Sequence, residues 1–392
     1  MGRQPVSVTE LNAAFGGLPL PDPGHESVRL TDAVGRACAR ELIAPYPLPP
    51  VPSADLDGFA VASAVAGADY RVTGHSLPGD APAPAPGAHE AVMVMTGAPL
   101  PEACSLLIPR EQVTEHGDRI HIDNDQARLP VPRGGRIPEG TRLARAGDRL
   151  TPNHINQFAR FGIGRVPVTA RPLVAVLPTG SELTPLPNRD TPAPFAHYDG
   201  NAHLLAALTR AAGGDPGIQP PVDDRVDDMV AALRACGAPL IVTTGGTAMG
   251  ARDLTAVAIA EAGFEVVVSG LAARPGQRLS VAAKDGQVIV SLPGSPGAIE
   301  PLFQVAVAPL VRRMGGHTAW ESRWFHAALS APITAAGELT LLSRAHLEVA
   351  AGTVQVTPDP TGNDGLVLLP PGDARIKAGT LLQVLPLPGW PN

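Results

Sequence analysis

Two glycine-rich segments have the composition of an anion-binding turn. Residues 240–250 read LIVTTGGTAMG, a β-branched apolar run that enters a glycine-rich turn before a helical pattern begins near Asp253. Residues 288–296 read VIVSLPGSP, again a strand pattern, a Gly/Pro turn and a helix. Glycines let a ligand approach the backbone, and the N–H groups of the following helix point at negative charge. One such junction is weak evidence, because glycine also serves turn geometry. Two within about fifty residues, predicted to end on the same side of one sheet, favour a ligand site.

The elements around these segments alternate between strand and helix, which predicts a doubly wound α/β domain. Asn201 is the predicted N-cap of one helix, and Gly237 stands where another needs a C-terminal cap. Asp285 and Gly286 form the turn of a predicted hairpin. The predicted elements are strands near 172–177, 240–244 and 265–270, a hairpin over 280–292, and helices near 201–214, 222–237, 253–262 and 298–313.

The flanking regions predict β-structure. Residues 48–125 are short alternating runs broken by proline and glycine, and the stretch PGDAPAPAPG reads as a loop. A short helix is predicted after Thr151, ending near Gly162. The last eighty or so residues are rich in strand patterns and predict a small barrel or sandwich. The 392 residues are therefore expected to form several domains.

Composition excludes several classes of protein. The net charge of −7 and the aromatic content of 4% argue against a nucleic-acid partner, so an anionic ligand needs a local cluster of donors. The three cysteines are far apart without a C-x-x-C pair, and the 11 histidines form no H-E-x-x-H motif. No apolar run reaches the length of a membrane helix. We expect a cytoplasmic protein that does not enter a membrane.

Seven motifs follow one another in a recognisable order. They are SADLDGFAV at 53–61, MTGAPLPE at 95–102, PTGSEL at 178–183, YDGN at 198–201, TTGG at 243–246 with Asp253, RPG at 274–276 and LPGSP at 292–296. In this order the chain resembles the molybdopterin molybdenumtransferase family, the molybdenum insertases that include the E domain of gephyrin. The resemblance extends over essentially the whole chain.

The resemblance implies a fold and a reaction. It implies a homodimer that inserts molybdate into adenylylated molybdopterin with Mg²⁺ and releases AMP, with a molybdopterin adenylyltransferase and apo-molybdoenzymes as further partners. The implied fold is α/β plus β, with an insertase-type doubly wound α/β domain, a β-rich arm domain, a connecting domain and a C-terminal small β-barrel. The implied boundaries are 1–19 with 171–317 for the α/β domain, 20–47 with 126–170 for the connecting domain, 48–125 for the arm and 318–392 for the barrel.

The same resemblance implies roles for individual residues. Asp57, Thr96 and Glu182 match motif positions that face molybdate, and Asp57 and Glu182 are the implied metal ligands. By themselves these three residues read as ordinary turn or loop residues. The implied cofactor-binding residues are Asp199, Asn201, Thr244, Gly245, Gly246, Gly250, Asp253, Arg274, Arg278, Pro293, Gly294, Ser295 and Pro296.

Four departures from the family pattern concern charge. The family's K-P-G-K-P reads RPGQR here, so Gln277 stands in place of a lysine and Arg278 follows it. Pro239 replaces a common aspartate, and Gly135 and Arg136 replace two acids. If these positions face the metal and molybdate, metal binding is weakened while binding of an anionic pterin is kept.

Two alternatives remain at this stage. The first is a catalytically weakened paralogue that binds or carries molybdopterin. The second is molybdopterin adenylyl transfer, which uses a similar α/β domain but lacks the β-rich flanking domains. A generic nucleotide enzyme is disfavoured, because the sequence contains no G-x-x-x-x-G-K-[ST] motif.

Overall fold

The computed structural model describes residues 4–124, 126–184, 186, 196–245, 254–334, 337–350 and 352–390. The chain folds into two compact units. The large unit comprises Met1–Arg40, Ala146–Thr151 and Arg165–Asn392, and the small unit comprises Glu41–Arg145 and Pro152–Gly164. The four domain boundaries implied by the sequence are finer than this division and stay a prediction.

The helices and strands of the described residues are as follows. The helices are α1 (Val8–Gly16), α2 (Pro152–Arg160), α3 (Gly200–Ala211), α4 (Val226–Ala235), α5 (Leu254–Glu261), α6 (Pro296–Leu302) and α7 (Ala308–Met314). The strands before α2 are β1 (His25–Arg29), β2 (Leu42–Ile43), β3 (Gly58–Val61), β4 (Asp69–Ser76), β5 (Glu90–Val94), β6 (Leu106–Pro109), β7 (Val113–His116), β8 (Arg119–Ile122) and β9 (Arg142–Ala144). The strands between α2 and α7 are β10 (Arg165–Thr169), β11 (Leu173–Pro178), β12 (Leu183–Thr184), β13 (His197–Tyr198), β14 (Asp215–Ile218), β15 (Leu240–Thr244), β16 (Glu265–Ser269), β17 (Ala273–Arg274), β18 (Ser280–Lys284) and β19 (Gln287–Leu292). The strands after α7 are β20 (Phe325–Leu329), β21 (Ile333–Thr334), β22 (Thr340–Ala350), β23 (Thr353–Pro358), β24 (Gly365–Leu369), β25 (Arg375–Ile376) and β26 (Leu381–Pro386).

A six-stranded sheet in the order β14-β11-β15-β19-β18-β16 forms the centre of the large unit. Its first four strands run parallel, and β18 and β16 are antiparallel to their neighbours. The hairpin between β18 and β19 turns at Asp285 and Gly286, which both have positive φ, as a tight two-residue turn requires. The predicted hairpin is confirmed.

Alternate side chains of the parallel strands face two helix layers. Val176, Val242 and Val290 join residues of α1, α3, α6 and α7 in one buried cluster. Leu177 and Ile241 join residues of α4 and α5 in a second cluster. The near-continuous apolar runs of these strands follow from burial on both faces. Helices on both faces confirm the predicted doubly wound domain.

The C-terminal region forms a closed barrel in the order β22-β23-β20-β26-β24, with β24 paired back onto β22. The predicted small barrel is confirmed. Leu342, Leu366 and Leu385 of the barrel pack into the first buried cluster of the α/β core. Glu300 of α6 forms an ion pair with Arg344 of β22, which ties the barrel to the same layer.

The small unit is built on a six-stranded sheet in the order β6-β3-β5-β4-β8-β7. Successive side chains of β3 point to opposite faces of the sheet. Ala60 therefore lies in one buried cluster, and Phe59 and Val61 lie in another. Residues 77–89 contain no helix or strand, as predicted for the proline-rich stretch. No helix in the described part of the chain is long and apolar enough to cross a membrane.

Two predicted helix caps are wrong. Asp199, not Asn201, is the N-cap of α3, and its side chain accepts a hydrogen bond from the Ala202 N–H. Helix α4 ends at an extended Cys236 instead of a left-handed Gly237. The Gln287 side chain donates to the Cys236 carbonyl at 2.9 Å, so that carbonyl is satisfied without a glycine cap.

The helix predicted over 298–313 is longer and less regular than expected. It runs from Pro296 to Met314 as α6, a π-helical turn at Phe303–Val307, and α7. Pro301 and Pro309 lack the N–H groups that would continue the α-helical bonds, which accounts for the irregular middle.

Candidate functional site

The carboxyl ends of three neighbouring parallel strands meet at one edge of the central sheet. Pro178 of β11, Thr244 of β15 and Leu292 of β19 are register partners there. We call residues 178–182, 244–245 and 292–296 the sheet edge. The prediction that both glycine junctions end on the same side of one sheet is confirmed, and this is where α/β proteins of this class bind ligands.

Close backbone contacts fix the two glycine turns. Gly245 has φ of 99°, and a β-carbon added there would clash with the carbonyl oxygen of Thr179. The Thr179 N–H donates to the Thr244 carbonyl at 2.9 Å, which holds the two loops together. A β-carbon at Gly294 would lie 3.3 Å from the Gly245 Cα. Glycine at 245 is therefore required by both conformation and space.

Asn201 joins two of these loops. Its Nδ2 donates to the Gly294 carbonyl at 2.8 Å and lies 3.5 Å from Thr244 Oγ1. Asp199 is buried, and its Oδ1 accepts from the Ala202 N–H at 2.9 Å. The structure thus places both residues beside the predicted loops, with Asp199 supporting the start of α3 and Asn201 spacing the loops.

The sheet edge presents backbone donors. Among the described residues, the N–H groups of Gly245, Gly294 and Ser295 have no hydrogen-bond acceptor. Gly294, Ser295 and Pro296 are exposed, while Pro293 is half-buried. The Ser295 side chain makes no capping bond at the start of α6. Unbonded backbone donors that lie together at a sheet edge suit an oxyanion.

Glu182 lies at the end of the first loop of the sheet edge. The loop is fixed by the Gly180 N–H, which donates to the Val222 carbonyl at 3.0 Å, and by the Asp224 N–H, which donates to Ser181 Oγ at 3.2 Å. The exposed Glu182 carboxylate lies over Gly180, whose φ is 146°. The loop therefore holds an acidic side chain at the carboxyl end of β11.

The two predicted arginines have different positions. Arg278 lies in the turn over residues 275–278, two residues before Ser280, which pairs with Ser291 near the end of β19. Arg274 lies in β17 and pairs with Leu341 of the barrel. Arg278 is therefore close in sequence to the strand that pairs with β19, whereas Arg274 is paired with the barrel.

In the small unit, Asp57 and Thr96 form a hydrogen-bonded pair. Asp57 Oδ1 accepts from the Thr96 N–H at 2.7 Å and from Thr96 Oγ1 at 2.9 Å. The positive φ of Gly97 lets the chain turn directly after Thr96. Both side chains are exposed, and no donor among the described residues reaches Asp57 Oδ2.

The Thr96 pair keeps Asp57 ionised. Its N–H and then its hydroxyl hold the pKa of the Asp57 carboxyl below the ordinary value, and the charge of Arg110 acts in the same direction. A carboxylate with one oxygen already bonded and one oxygen open to solvent is suited to binding a cation.

Some predicted residues lie outside the described residues. They are Gly246, Gly250 and Asp253.

The expectation that Pro239 faces the site is wrong. It lies at the amino end of β15, and the six steps to Gly245 at about 3.3 Å each separate them by roughly 20 Å. The absence of an aspartate at position 239 therefore does not remove a metal ligand from the sheet edge. Gly135 and Arg136 lie in a small-unit turn, where the Arg136 N–H donates to the Leu48 carbonyl at 3.0 Å.

Sequence reasoning missed two residues that shape the sheet edge. The Thr179 carbonyl would clash with any β-carbon at position 245. The Asp224 N–H donates to Ser181 Oγ and holds the loop that carries Glu182. Thr179 was visible as the hydroxyl in PTGSEL beside the predicted glycine turn. Asp224 had no sequence signal, because it contacts Ser181 from 43 residues away.

Comparison with known proteins places the chain in a family. The MoeA N-terminal region (domains I and II) matches residues 6–162, and a probable molybdopterin binding domain matches residues 175–313. The molybdopterin molybdenumtransferase of Staphylococcus aureus strain MRSA252 is 27% identical over 383 residues, covering 92% of this chain and 90% of that protein. The Staphylococcus epidermidis enzyme of the same name is 25% identical over 380 residues, with the same coverage.

Solved structures give the same result. A molybdopterin biosynthesis MoeA protein from Pyrococcus horikoshii aligns with a TM-score of 0.79 at 25% identity, over 99% of this chain and 100% of that chain. A second MoeA structure, from strain OT3 of that organism, aligns with a TM-score of 0.76 at 20% identity, over 97% and 99%. By sequence and by fold, the chain belongs to the MoeA family of molybdopterin molybdenumtransferases, enzymes of molybdenum cofactor biosynthesis.

Proposed function

We propose that the protein inserts molybdate into adenylylated molybdopterin and that AMP is released. The observation that carries the proposal is that Gly245, Gly294 and Ser295 lie together at one sheet edge and that their N–H groups have no acceptor among the described residues. The Asn201 side chain donates to the Gly294 carbonyl beside them. These donors suit a phosphate group. The small unit has a separate group of its own, the ionised Asp57 carboxylate.

The sheet edge is the proposed binding site of the pterin phosphate. Its backbone donors hold the phosphate oxygens, and Arg278 adds a cation that matches phosphate geometry. Arg274 lies four residues earlier, in β17, where it pairs with Leu341 of the barrel. The buried Thr244 and the half-buried Asn201 position the glycine turns.

Asp57 in the small unit and Glu182 in the large unit are each proposed as a Mg²⁺ ligand. Mg²⁺ commonly takes one or two carboxylates and completes its shell with water and substrate phosphates. Both side chains fit this description, because each is an exposed carboxylate held by a fixed loop. The ion would neutralise charge on the oxygens of the substrates. Thr96 holds Asp57 Oδ1, so the open Oδ2 keeps a defined direction.

The proposal extends to assembly and partners. We propose a cytoplasmic homodimer that receives its pterin from a molybdopterin adenylyltransferase and delivers the cofactor to apo-molybdoenzymes. These points rest on the family resemblance. Adenylyl transfer by this chain itself is disfavoured, because residues 6–162 match the MoeA N-terminal region, which a lone adenylylating domain lacks.

An Asp57→Ala variant tests the proposal. Adenylylated molybdopterin and molybdate are supplied, and activation of a molybdenum-free reductase is measured together with AMP release. Asp57→Ala is expected to lower the rate by about 100-fold or more, while pterin affinity stays within about two-fold. Asp55→Ala is the matched control, since Asp55 is an exposed aspartate two residues away.

Three outcomes would contradict parts of this proposal. Wild-type protein that binds the pterin without ever activating the reductase would leave only the carrier alternative. Equal rates for Asp57→Ala and Asp55→Ala would remove Asp57 from the reaction. AMP loading of molybdopterin from ATP by this chain alone would restore the adenylyl-transfer alternative.

A further inference from the structure

Four arginines and a histidine come together in the large unit, near the end of α7. We call Arg36, Arg149, Arg312, Arg323 and His317 the arginine cluster. Helix α6 begins at the sheet edge, and the 19 residues from Pro296 to Met314 at about 1.5 Å each put the end of α7 roughly 28 Å away. The arginine cluster is therefore separate from the proposed pterin site.

Arg36 is fixed in a buried position. Only 9% of it is exposed, and its Nη2 donates to the Thr169 carbonyl at 2.7 Å and pairs with Glu26. The segment before His317 lies against the same threonine, because a β-carbon added at Gly316 would be 2.5 Å from Thr169 Oγ1. Arg36 and the residue before His317 therefore both lie against Thr169.

Arg149 reaches the same place from another segment. It forms a bridge with Ala37, and its Nη2 lies 3.9 Å from the position of a β-carbon at Gly35. Its guanidinium therefore lies beside the segment that carries Arg36. The Thr318 N–H donates to the Gly147 carbonyl at 3.1 Å, which joins the Arg149 segment to the chain after His317.

Arg312 is bound by neutral groups. Its Nε donates to the Trp320 carbonyl at 2.7 Å, and its Nη2 donates to Ser322 Oγ at 3.3 Å. Burial, together with the charges of Arg149 and Arg323, lowers the pKa of Arg312 to about 10. A partly desolvated guanidinium that lacks a carboxylate partner among the described residues is costly.

The charges of these arginines affect the pKa of His317. Its backbone N–H donates to the Arg312 carbonyl at 3.1 Å. Burial, followed by the charges of Arg149, Arg312 and Arg36, lowers the pKa of His317 to about 4. The imidazole is therefore neutral near pH 7 and available as a hydrogen-bonding group.

The acids of the surrounding segments do not balance the charge. Glu26 pairs with Arg36, and Asp148 precedes Arg149. Glu321 lies between Trp320 and Ser322, the two partners of Arg312. Three acids at full charge against four arginines leave a net charge of plus one. Guanidinium groups bind tetrahedral oxyanions through two parallel hydrogen bonds, so an anion of this shape would satisfy the cluster.

We propose that the arginine cluster binds a tetrahedral oxyanion of the phosphate class, either as the free ion or as the phosphate of a mononucleotide. Arg149 and Arg312 clamp the anion, His317 contributes a neutral hydrogen bond, and Arg323 adds charge at the exposed rim. The site does not depend on the proposed pterin site at the sheet edge.

Sulfate is the probe of choice, because it remains dianionic throughout an acid titration. NMR of the His317 imidazole in the full chain follows its pKa with increasing sulfate, against chloride at equal ionic strength. Sulfate is expected to raise this pKa from about 4 toward the ordinary histidine value, with one-site saturation. Chloride is expected to leave it nearly unchanged.

Variants separate specific binding from general screening. Arg149→Gln is expected to weaken sulfate binding at pH 7 by about ten-fold or more, measured by calorimetry. Arg225→Gln, an exposed arginine paired with Asp228 at the start of α4, is the matched control and should bind like wild type. Arg323→Gln, at the exposed rim, should weaken binding by a smaller factor of about three.

The calorimetric titration also distinguishes the two sources of the anion. Tighter binding of AMP than of sulfate identifies a mononucleotide phosphate as the ligand. Equal binding of sulfate, phosphate and molybdate, with no binding of AMP, identifies the free ion. An equal pKa shift with chloride would overturn the proposal. So would equal sulfate affinity of folded Arg149→Gln, Arg323→Gln and wild-type protein.

Discussion

The sheet edge of the large unit is held by backbone contacts, whereas the acid of the small unit is held by one threonine. At the sheet edge, Gly245 fits under the Thr179 carbonyl, and buried strands fix the position of both. In the small unit, Asp57 and Thr96 are exposed, and two hydrogen bonds to one oxygen fix the carboxylate.

Because of this difference, substitutions in the two regions are expected to affect different properties of the protein. A change at the sheet edge disturbs packed backbone, so it is expected to lower both the free energy of unfolding and pterin affinity. A change at the Asp57–Thr96 pair alters an exposed ionised group, so it is expected to change the reaction while the fold is kept. The two regions therefore predict different patterns of damage.

The largest effect on folding is expected for Gly245→Ala. Its positive φ and the clash with Thr179 predict a loss of about 2–4 kcal/mol in the free energy of unfolding, measured by urea denaturation. Pterin binding should be lost with it. Gly297→Ala is the control, because a β-carbon there meets open space. Equal stability of the two variants would show that the sheet edge is not fixed by backbone contact.

Asn201→Ala is expected to act on binding more than on stability. Loss of the 2.8 Å hydrogen bond to the Gly294 carbonyl should lower the free energy of unfolding by about 1 kcal/mol. Pterin affinity should fall by about ten-fold, because Asn201 no longer connects the two loops. Fluorescence titration with the pterin measures the affinity. His203→Ala, on an exposed position of the same helix, is the control. An unchanged affinity for Asn201→Ala would place the pterin elsewhere.

Thr96→Val gives the smallest expected effect and tests the small unit. Thr96 lowers the pKa of Asp57, so removing its hydroxyl should raise that pKa. Asp57 then becomes protonated at a higher pH, and the acid limb of the insertion rate should move upward in pH. Thr96→Ser keeps the hydroxyl and should retain the wild-type limb. A limb that moves downward, or equally in both variants, would contradict the role of the pair.

The stability of the Thr96→Val variant should follow the same sign. A carboxyl whose folded pKa is lowered stabilises the fold above its unfolded pKa, and this contribution is lost as the pH falls through the folded pKa. The variant is therefore expected to show a weaker loss of stability on acidification than wild type.

The sequence predicted those features that depend on local pattern. Gly245 and Gly294 were identifiable because a glycine turn follows each buried strand, and two such strands run parallel. Features that depend on distant contacts were missed or misassigned. An asparagine before an apolar run predicts a helix cap at Asn201, whereas its side chain donates to the Gly294 carbonyl, 93 residues away in sequence.

The small unit and the arginine cluster show the same limit. Asp57 alone read as a turn residue, because Thr96 lies 39 residues away and only the family motifs joined the two. The arginine cluster assembles from segments near residues 36, 149 and 312, none of which has a charge run in sequence. Charge convergence of this kind requires the fold.

A crystal structure of the protein with adenylylated molybdopterin tests the central claim most directly. The account predicts pterin phosphate oxygens within hydrogen-bond distance of the backbone N–H groups of Gly245, Gly294 or Ser295. Phosphate density away from the sheet edge, with these three N–H groups bound only to water, would contradict it.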